Sequence, residues 1–425
     1  MNKNEKKLLS KASHLKIVKN NQKKERILFV SNAPWASTGY GQQTKQVTSR
    51  FLNSGYPTAV ACLYGLEANS TIYPTESGPL YCYPRGADAY SNDVIPAHAF
   101  DWFNQDPEAK RLLLTLFDTW VFKGEKWKDW PVASWVPIDH TPVPPEVAQW
   151  CQQDFVTPIA MSKYGQEALR KVNIDSVYIP HGIEKVFEPT EEITDIKGNK
   201  ITAREFMGIP EDAFVVGMNA ANKGIYPCRK AFGENLLAFS MFAQKKEDVY
   251  LYLHTDPDGS LGGIKLNHLL IACGIDRSKV RIADPYQLRY GYSQEQLACL
   301  YTGMDVLLAT SYGEGFGIPT IEAQACGTPV IVSNFAASAE LCGDGWLING
   351  QPLWDAPQKS FFHVPSVPEI INALSEAYKR DRIKSIKAME FAQDYYADAV
   401  YEKYWKPFLE AYFSAQEVSV IPGAE

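Results

Sequence analysis

Short apolar runs alternate with amphipathic stretches along most of this chain, and that alternation predicts a parallel, doubly wound α/β protein. In the first half, strands are expected at 26–31, 58–63, 80–83, 112–117, 133–138, 158–162 and 176–180. A helix from about Gly41 to Asn53 follows the first strand and stops at Gly55. The second half repeats the design, with strands at 214–218, 250–254, 280–282, 306–309 and 330–332. Helices are expected between them near 231–244, 265–273, 294–301 and 319–326. Two such units in series, 26–185 and 186–395, enclose a cleft, with the polar stretch 188–199 inserted beside the linker. The segment 368–416 is helical in pattern, and Pro407 interrupts it, since proline breaks or kinks a helix. Its aromatic residues suit a final helix, 396–416, packed back on a core.

One stretch stands out, DVLLATSYGEGFGIPTIEAQACGTPVIVSN, from Asp305 to Asn334. It reads as strand, glycine-rich turn, helix, strand, the size of a βαβ unit. Glu314 lies in the turn, at a strand's C-terminal end, where open α/β sheets place ligands. Glu322 lies about one turn into the helix. The glycines permit close backbone approach, and the N–H groups at the helix start suit an anion. A ligand carrying both phosphate and hydroxyl groups fits this pattern.

The run Glu314-Gly-Phe-Gly-Ile-Pro-Thr-Ile-Glu322, followed by Ala323, Gly327, Thr328 and Pro329, resembles the paired-glutamate signature of retaining GT-B glycosyltransferases, in particular family 4 (group 1). Ile179-Pro-His-Gly-Ile183, Arg229-Lys230 and Gly39-Tyr-Gly41 fall where the same resemblance expects a domain junction, a basic pair and an N-terminal glycine loop. Asn219 and Asn222 occupy the region where the family carries an early arginine. The resemblance implies a GT-B fold, two Rossmann-like domains facing a central cleft, and a nucleotide-sugar donor such as a UDP- or GDP-sugar. It implies that Glu314 contacts sugar hydroxyls near the reacting carbon and that Glu322 accepts hydrogen bonds from the ribose. Arg229 and Lys230 would hold the diphosphate, aided by the helix start near Ile318. Gly315, Phe316 and Gly317 would offer backbone N–H groups, and Gly39, Gly41 and Tyr286 complete the donor-binding set. Asp139-His140 follows a strand expected to end at the cleft, which joins both residues to Glu314 as catalytic candidates. His181, at the junction, reads as structural.

Further candidates come from the residues themselves. The loop 33–43 is rich in groups that touch sugars: Trp35 and Tyr40 can stack, and Ser37, Thr38 and Gln42 can hydrogen bond. Asp256-Pro-Asp258 resembles a metal-binding pair, but Asp-Pro-Asp-Gly is also plain turn chemistry. The turn is the reading adopted here, with no metal and no cofactor expected.

Composition narrows the setting. The 425 residues are 45% hydrophobic and 21% charged, ordinary for a globular protein. The longest apolar runs are far too short for a transmembrane segment. Eight scattered cysteines and no signal-like leader point to the cytoplasm. Net charge is −7, but residues 1–26 hold nine Lys or Arg against two Glu, leaving −14 on the remainder. The basic arm raises nucleic acid as a partner, although a solvated terminus accounts for it as well.

The expected activity is transfer of a sugar to a hydroxyl acceptor, by default a glycan, lipid or small molecule. The alternatives are a DNA glycosyltransferase acting on hydroxymethylated pyrimidines, a sugar-nucleotide epimerase, and an inactive nucleotide-sugar binding module.

Overall fold

The computed structural model describes residues 23–195 and 198–416. The basic N-terminal extension, 1–25, lies outside them apart from its last three residues. The first unit is an eight-stranded sheet: β1 (Glu25–Ser31), β2 (Thr58–Cys62), β3 (Thr71–Thr75), β4 (Gly78–Tyr83), β5 (Lys110–Leu116), β6 (Val132–Val136), β7 (Val156–Ala160) and β8 (Val177–Tyr178). Its order is β3-β4-β2-β1-β5-β6-β7-β8, parallel throughout except for β3 against β4. The central strands β1, β5 and β6 are almost wholly buried, as continuous apolar runs covered on both faces must be. The helix Gly39–Asn53 begins two residues earlier than expected, because Thr38 accepts a hydrogen bond from the Gly41 N–H and caps it.

The second unit opens with a small hairpin, β9 (Glu192–Thr194) and β10 (Lys200–Thr202), where an insertion was expected. Its sheet comprises β11 (Phe214–Asn219), β12 (Val249–His254), β13 (Val280–Ile282), β14 (Val306–Ala309), β15 (Val330–Ser333) and β16 (Gly345–Ile348). The order is β13-β12-β11-β14-β15-β16, all parallel. An antiparallel hairpin follows, β17 (Gly350–Asp355) and β18 (Ser360–Pro365). Neither β3, nor β16, nor this hairpin was legible in the apolar pattern, because their burial alternates irregularly.

The C-terminal segment returns to the first unit. Trp405 is buried and meets Phe51 and Trp135 edge-on, with ring centroids 5.4 and 4.9 Å apart. Phe413 stacks on Tyr56 at 5.7 Å. Truncating a Trp buried in this way typically costs about 3–5 kcal/mol. Pro407 does not interrupt the last helix. It sits in the first turn of Lys406–Ala415, where its missing N–H is tolerated, just after a π-helical turn over Tyr401–Trp405. One apolar cluster therefore runs from Phe29 and Phe51 through Trp135 and Trp405 to Phe316 and Ile321 of the second unit.

Candidate functional site

The C-terminal ends of the two sheets face each other. The loop after β14 meets the loop after β6 so closely that a Cβ on Gly313 would collide with the Asp139 carbonyl, and one on Gly315 with Pro137. These glycines thus permit approach of the other unit's backbone, a role that local sequence did not reveal. Gly317 differs: at φ +119° it turns the chain into the helix Ile318–Ala325. The backbone N–H groups of Gly315, Phe316 and Gly317 make no hydrogen bond among the described residues. The Phe316 side chain is buried, with His181 and Tyr395 at 5.1 and 5.9 Å.

Glu314 is the centre of a charge cluster. Arg229 Nη1 donates to its Oε2 at 2.9 Å and to the Gly313 carbonyl at 2.6 Å, and Lys230 Nζ donates to Oε1. Asp139 Oδ2 lies 3.8 Å from the same Arg229 nitrogen. Burial alone would raise the Glu314 pKa, but the two cations overcome it and hold the carboxyl near 2. Glu314 is therefore ionised at any physiological pH. Burial lowers Lys230, while the surrounding carboxylates, Glu314 foremost, raise Arg229 despite its burial. Asp118, just past β5, is pushed up to about 6 by burial and by Asp139. Sequence reasoning missed Asp118, although the signal was available: a carboxylate directly after an apolar strand, as with Asp139.

Glu322 has a different environment. Its Oε2 accepts a 2.7 Å hydrogen bond from the Tyr301 hydroxyl, which itself accepts from Asn219 at 2.6 Å. No cation among the described residues pairs with it, and burial pushes it up to about 7. Asn222 is spent on the backbone, donating to the Asp256 and Ile264 carbonyls.

His140 is buried, and both ring nitrogens are engaged, Nδ1 with Asp139 at 2.6 Å and Nε2 with Asp355 of β17 at 3.2 Å. In this arrangement both nitrogens of His140 bond to carboxylates, one from each unit, so the residue joins the two units at the cleft. The neighbouring residues act alike. Thr141 and Phe361 exchange two backbone hydrogen bonds of 3.0 Å, and Lys359 pairs with Glu146 at 2.5 Å. Glu340 accepts from the N–H groups of Lys163 and Tyr164, the first turn of the helix Lys163–Lys171 in the other unit. Asp355 had no local sequence signal, because its partner is 215 positions away.

The remaining candidates scatter. A Cβ on Gly39 would sit 3.4 Å from Ile318 Cδ1, so the glycine loop faces the start of the helix Ile318–Ala325. Gly41 instead serves its own loop, where a Cβ would strike the Ala36 carbonyl. Tyr286 is 72% exposed and stacks on Tyr290. His181 is held neutral by burial, near pKa 3, among Trp135, Tyr40 and Phe316. Asp256 accepts from the N–H groups of Asp258 and Ser260, a turn. No group of three or more His, Cys, Asp or Glu among the described residues could hold a metal ion. Nor is any described helix long and apolar enough to cross a membrane. Four buried polar atoms without partners, on Asn32, Thr119, Thr255 and Ser311, all lie just past strand C-termini, on the side where the two units meet. Buried polar groups are seldom left unpaired except where a ligand or water serves them.

Known proteins resemble this arrangement. Residues 238–376 match the family described as Glycosyl transferases group 1. D-inositol 3-phosphate glycosyltransferase 2 of Catenulispora acidiphila is 33% identical over 151 residues, 35% of this chain and 34% of that protein. An O-antigen chain mannosyltransferase B of Escherichia coli is 41% identical over 63 residues, 14% of this chain and 16% of that protein. These matches span about a third or less of the relatives' length. The solved sucrose-phosphate synthase of Thermosynechococcus elongatus superposes with a TM-score of 0.69 at 16% identity, covering 92% of this chain and all of that one. The fold is GT-B, with two Rossmann-like units.

Proposed function

We propose that this protein is a retaining glycosyltransferase of the family 4 kind, which moves a hexose from a nucleotide-sugar donor to a hydroxyl acceptor in the cytoplasm. The observation that carries the proposal is the ionised Glu314 clasped by Arg229 and Lys230 beside three unbonded backbone N–H groups. A diphosphate supplies what those cations and N–H groups lack, and its arrival frees Glu314 for the donor's sugar hydroxyls. Glu322 then accepts from the ribose. In the reaction, the bond from the anomeric carbon to the β-phosphate oxygen breaks, and its electron pair stays on the phosphate. The acceptor oxygen bonds to that carbon from the same face and passes its proton to the departing phosphate oxygen. Positive charge fixed around that phosphate stabilises the transition state.

Thermal shift with UDP, GDP and their hexose conjugates, followed by turnover assays with and without EDTA, tests this reading. Stabilisation by one nucleotide series, and activity that survives chelation, is the expected result. Activity lost to EDTA and restored by Mn²⁺ or Mg²⁺ would overturn the cation assignment. Failure of every nucleotide to stabilise the protein would overturn the donor site.

A further inference from the structure

On the outer edge of the first unit, away from the charge cluster, lies an open cavity of about 540 Å³ between loop 33–43 and the edge strand β3. Trp35 and Tyr73 form two of its walls, with ring centroids 5.5 Å apart at 42°. Trp35 is 39% exposed, yet its ring is fixed, because Nε1 donates a 2.7 Å hydrogen bond to the Gly65 carbonyl. A partly exposed indole is thus held in place by a polar tether. Asn69, Ser70 and Thr71 form a rim, and none of their side chains hydrogen bonds to the rest of the described protein. Ile72, 60% exposed, adds an apolar patch.

The lining contains no charged residue. Glu67, next in sequence to the lining residues Leu66 and Ala68, is paired with Arg85 at 3.6 Å. This composition disfavours phosphate, nucleic acid or an acidic peptide, each of which needs cations. It suits a neutral molecule with an apolar face and many hydroxyls. A sugar ring has both: its axial C–H face stacks on Trp35, and its equatorial hydroxyls meet the amide and hydroxyls of the rim.

The cavity's position adds direction. Trp35 and Gly39 belong to one loop, and Gly39 abuts Ile318 at the start of the donor-side helix. Trp35 and Gly39 are four positions apart, a backbone distance of at most about 14 Å. We infer that this cavity is a distal subsite for a neutral saccharide acceptor, holding a ring of the chain while another sugar unit of it receives the transferred hexose. The inference rests on the glycosyltransferase reading and adds the acceptor's chemical class.

The experiment separates the two. Wild type, Trp35→Ala, Trp35→Phe and Tyr73→Ala are assayed with whichever sugar nucleotide stabilises the protein. Slow donor hydrolysis reports the donor site alone. Transfer is measured with neutral tetrasaccharides of α- and β-linked glucose, mannose and N-acetylglucosamine, and with the corresponding free monosaccharides. The expected result is a tetrasaccharide whose KM rises at least tenfold in Trp35→Ala and Tyr73→Ala and is largely restored in Trp35→Phe. Monosaccharide KM and donor hydrolysis should stay unchanged. The same KM in wild type and Trp35→Ala for every saccharide would overturn the subsite. So would a panel in which no tetrasaccharide surpasses its monosaccharide, or in which only an acyl or anionic acceptor responds to Trp35→Ala. Absence of donor hydrolysis in wild type would instead refute the glycosyltransferase reading.

Discussion

The Glu314 cluster and the Trp35 shelf belong to one cleft-forming protein but are built on opposite principles. The cluster is charged, half-buried and self-satisfied, with cations and carboxylates paired inside the site. The shelf is neutral and open, and the side chains of its rim, Asn69, Ser70 and Thr71, make no hydrogen bond among the described residues. The difference matches what the proposed function asks each to bind. On the proposed reading a diphosphate would displace the internal carboxylate because it brings more charge, and until then the cations are held without an unpaired buried charge. A neutral sugar brings no comparable drive, and a site for it must leave its hydroxyls accessible and its stacking face exposed. Breaking the cluster should therefore affect catalysis strongly, whereas breaking the shelf should affect only one class of acceptor.

The largest effect is expected at Glu314. Glu314→Gln keeps shape but removes charge, and turnover should fall at least ~100-fold, the scale of one lost electrostatic contact to the transition state. Nucleoside diphosphate binding should be retained or tightened, because Arg229 and Lys230 lose their internal competitor. Calorimetry beside steady-state kinetics checks both halves, and weaker nucleotide binding in the folded variant would contradict the idea of exchange.

Next come the cations. Arg229→Ala or Lys230→Ala should weaken nucleoside diphosphate binding about 10–100-fold, the range for losing a charge-assisted hydrogen bond. Each should also raise the Glu314 pKa by removing a countercharge.

Glu322 gives a pH signature that Glu314 cannot. Its folded pKa, near 7, lies above the ordinary 4.5, so its folded form holds a proton that the unfolded chain releases earlier. Stability is therefore lost as pH rises from about 4.5 through 7, and Glu322→Gln should remove that loss, by about 1–3 kcal/mol at pH 8. If ribose hydroxyls donate to the ionised form, as proposed, nucleotide affinity should rise between pH 6 and 8 in wild type and stay flat in Glu322→Gln. Thermal melts and calorimetry at both pH values check this.

The smallest effect concerns the contacts between units. Glu340→Gln weakens a cap on the helix Lys163–Lys171 and should cost about 0.5–2 kcal/mol in a denaturant melt, with nucleotide affinity unchanged.

The contrast between the two regions also explains what the sequence disclosed. The unit 305–334 was legible nearly to the residue, because local signals, an apolar run, glycines and a helix start, all agree there. The placement of Glu314 at a strand end was legible for the same reason. What Gly313 and Gly315 approach was not, since the answer lies in the loop after β6, over 170 positions earlier in the chain. The position of His140 after a strand was legible, whereas its partner Asp355, on a hairpin with no regular alternation, was not. Tyr286 was placed by analogy with a strand end, and its ring turned outward to Tyr290. Trp35 was noted as a stacking residue. Its cavity required Tyr73, on an edge strand whose residues are mostly exposed and carry little periodic signal.

The most direct test of the central claim is proton NMR of the reaction mixture during turnover of an α-linked hexose donor, wild type beside Glu314→Gln. The account predicts a newly formed α-glycosidic product and free nucleoside diphosphate in wild type, with neither accumulating appreciably in the variant. A β-linked product, an epimerised donor, or equal product from both proteins would contradict it.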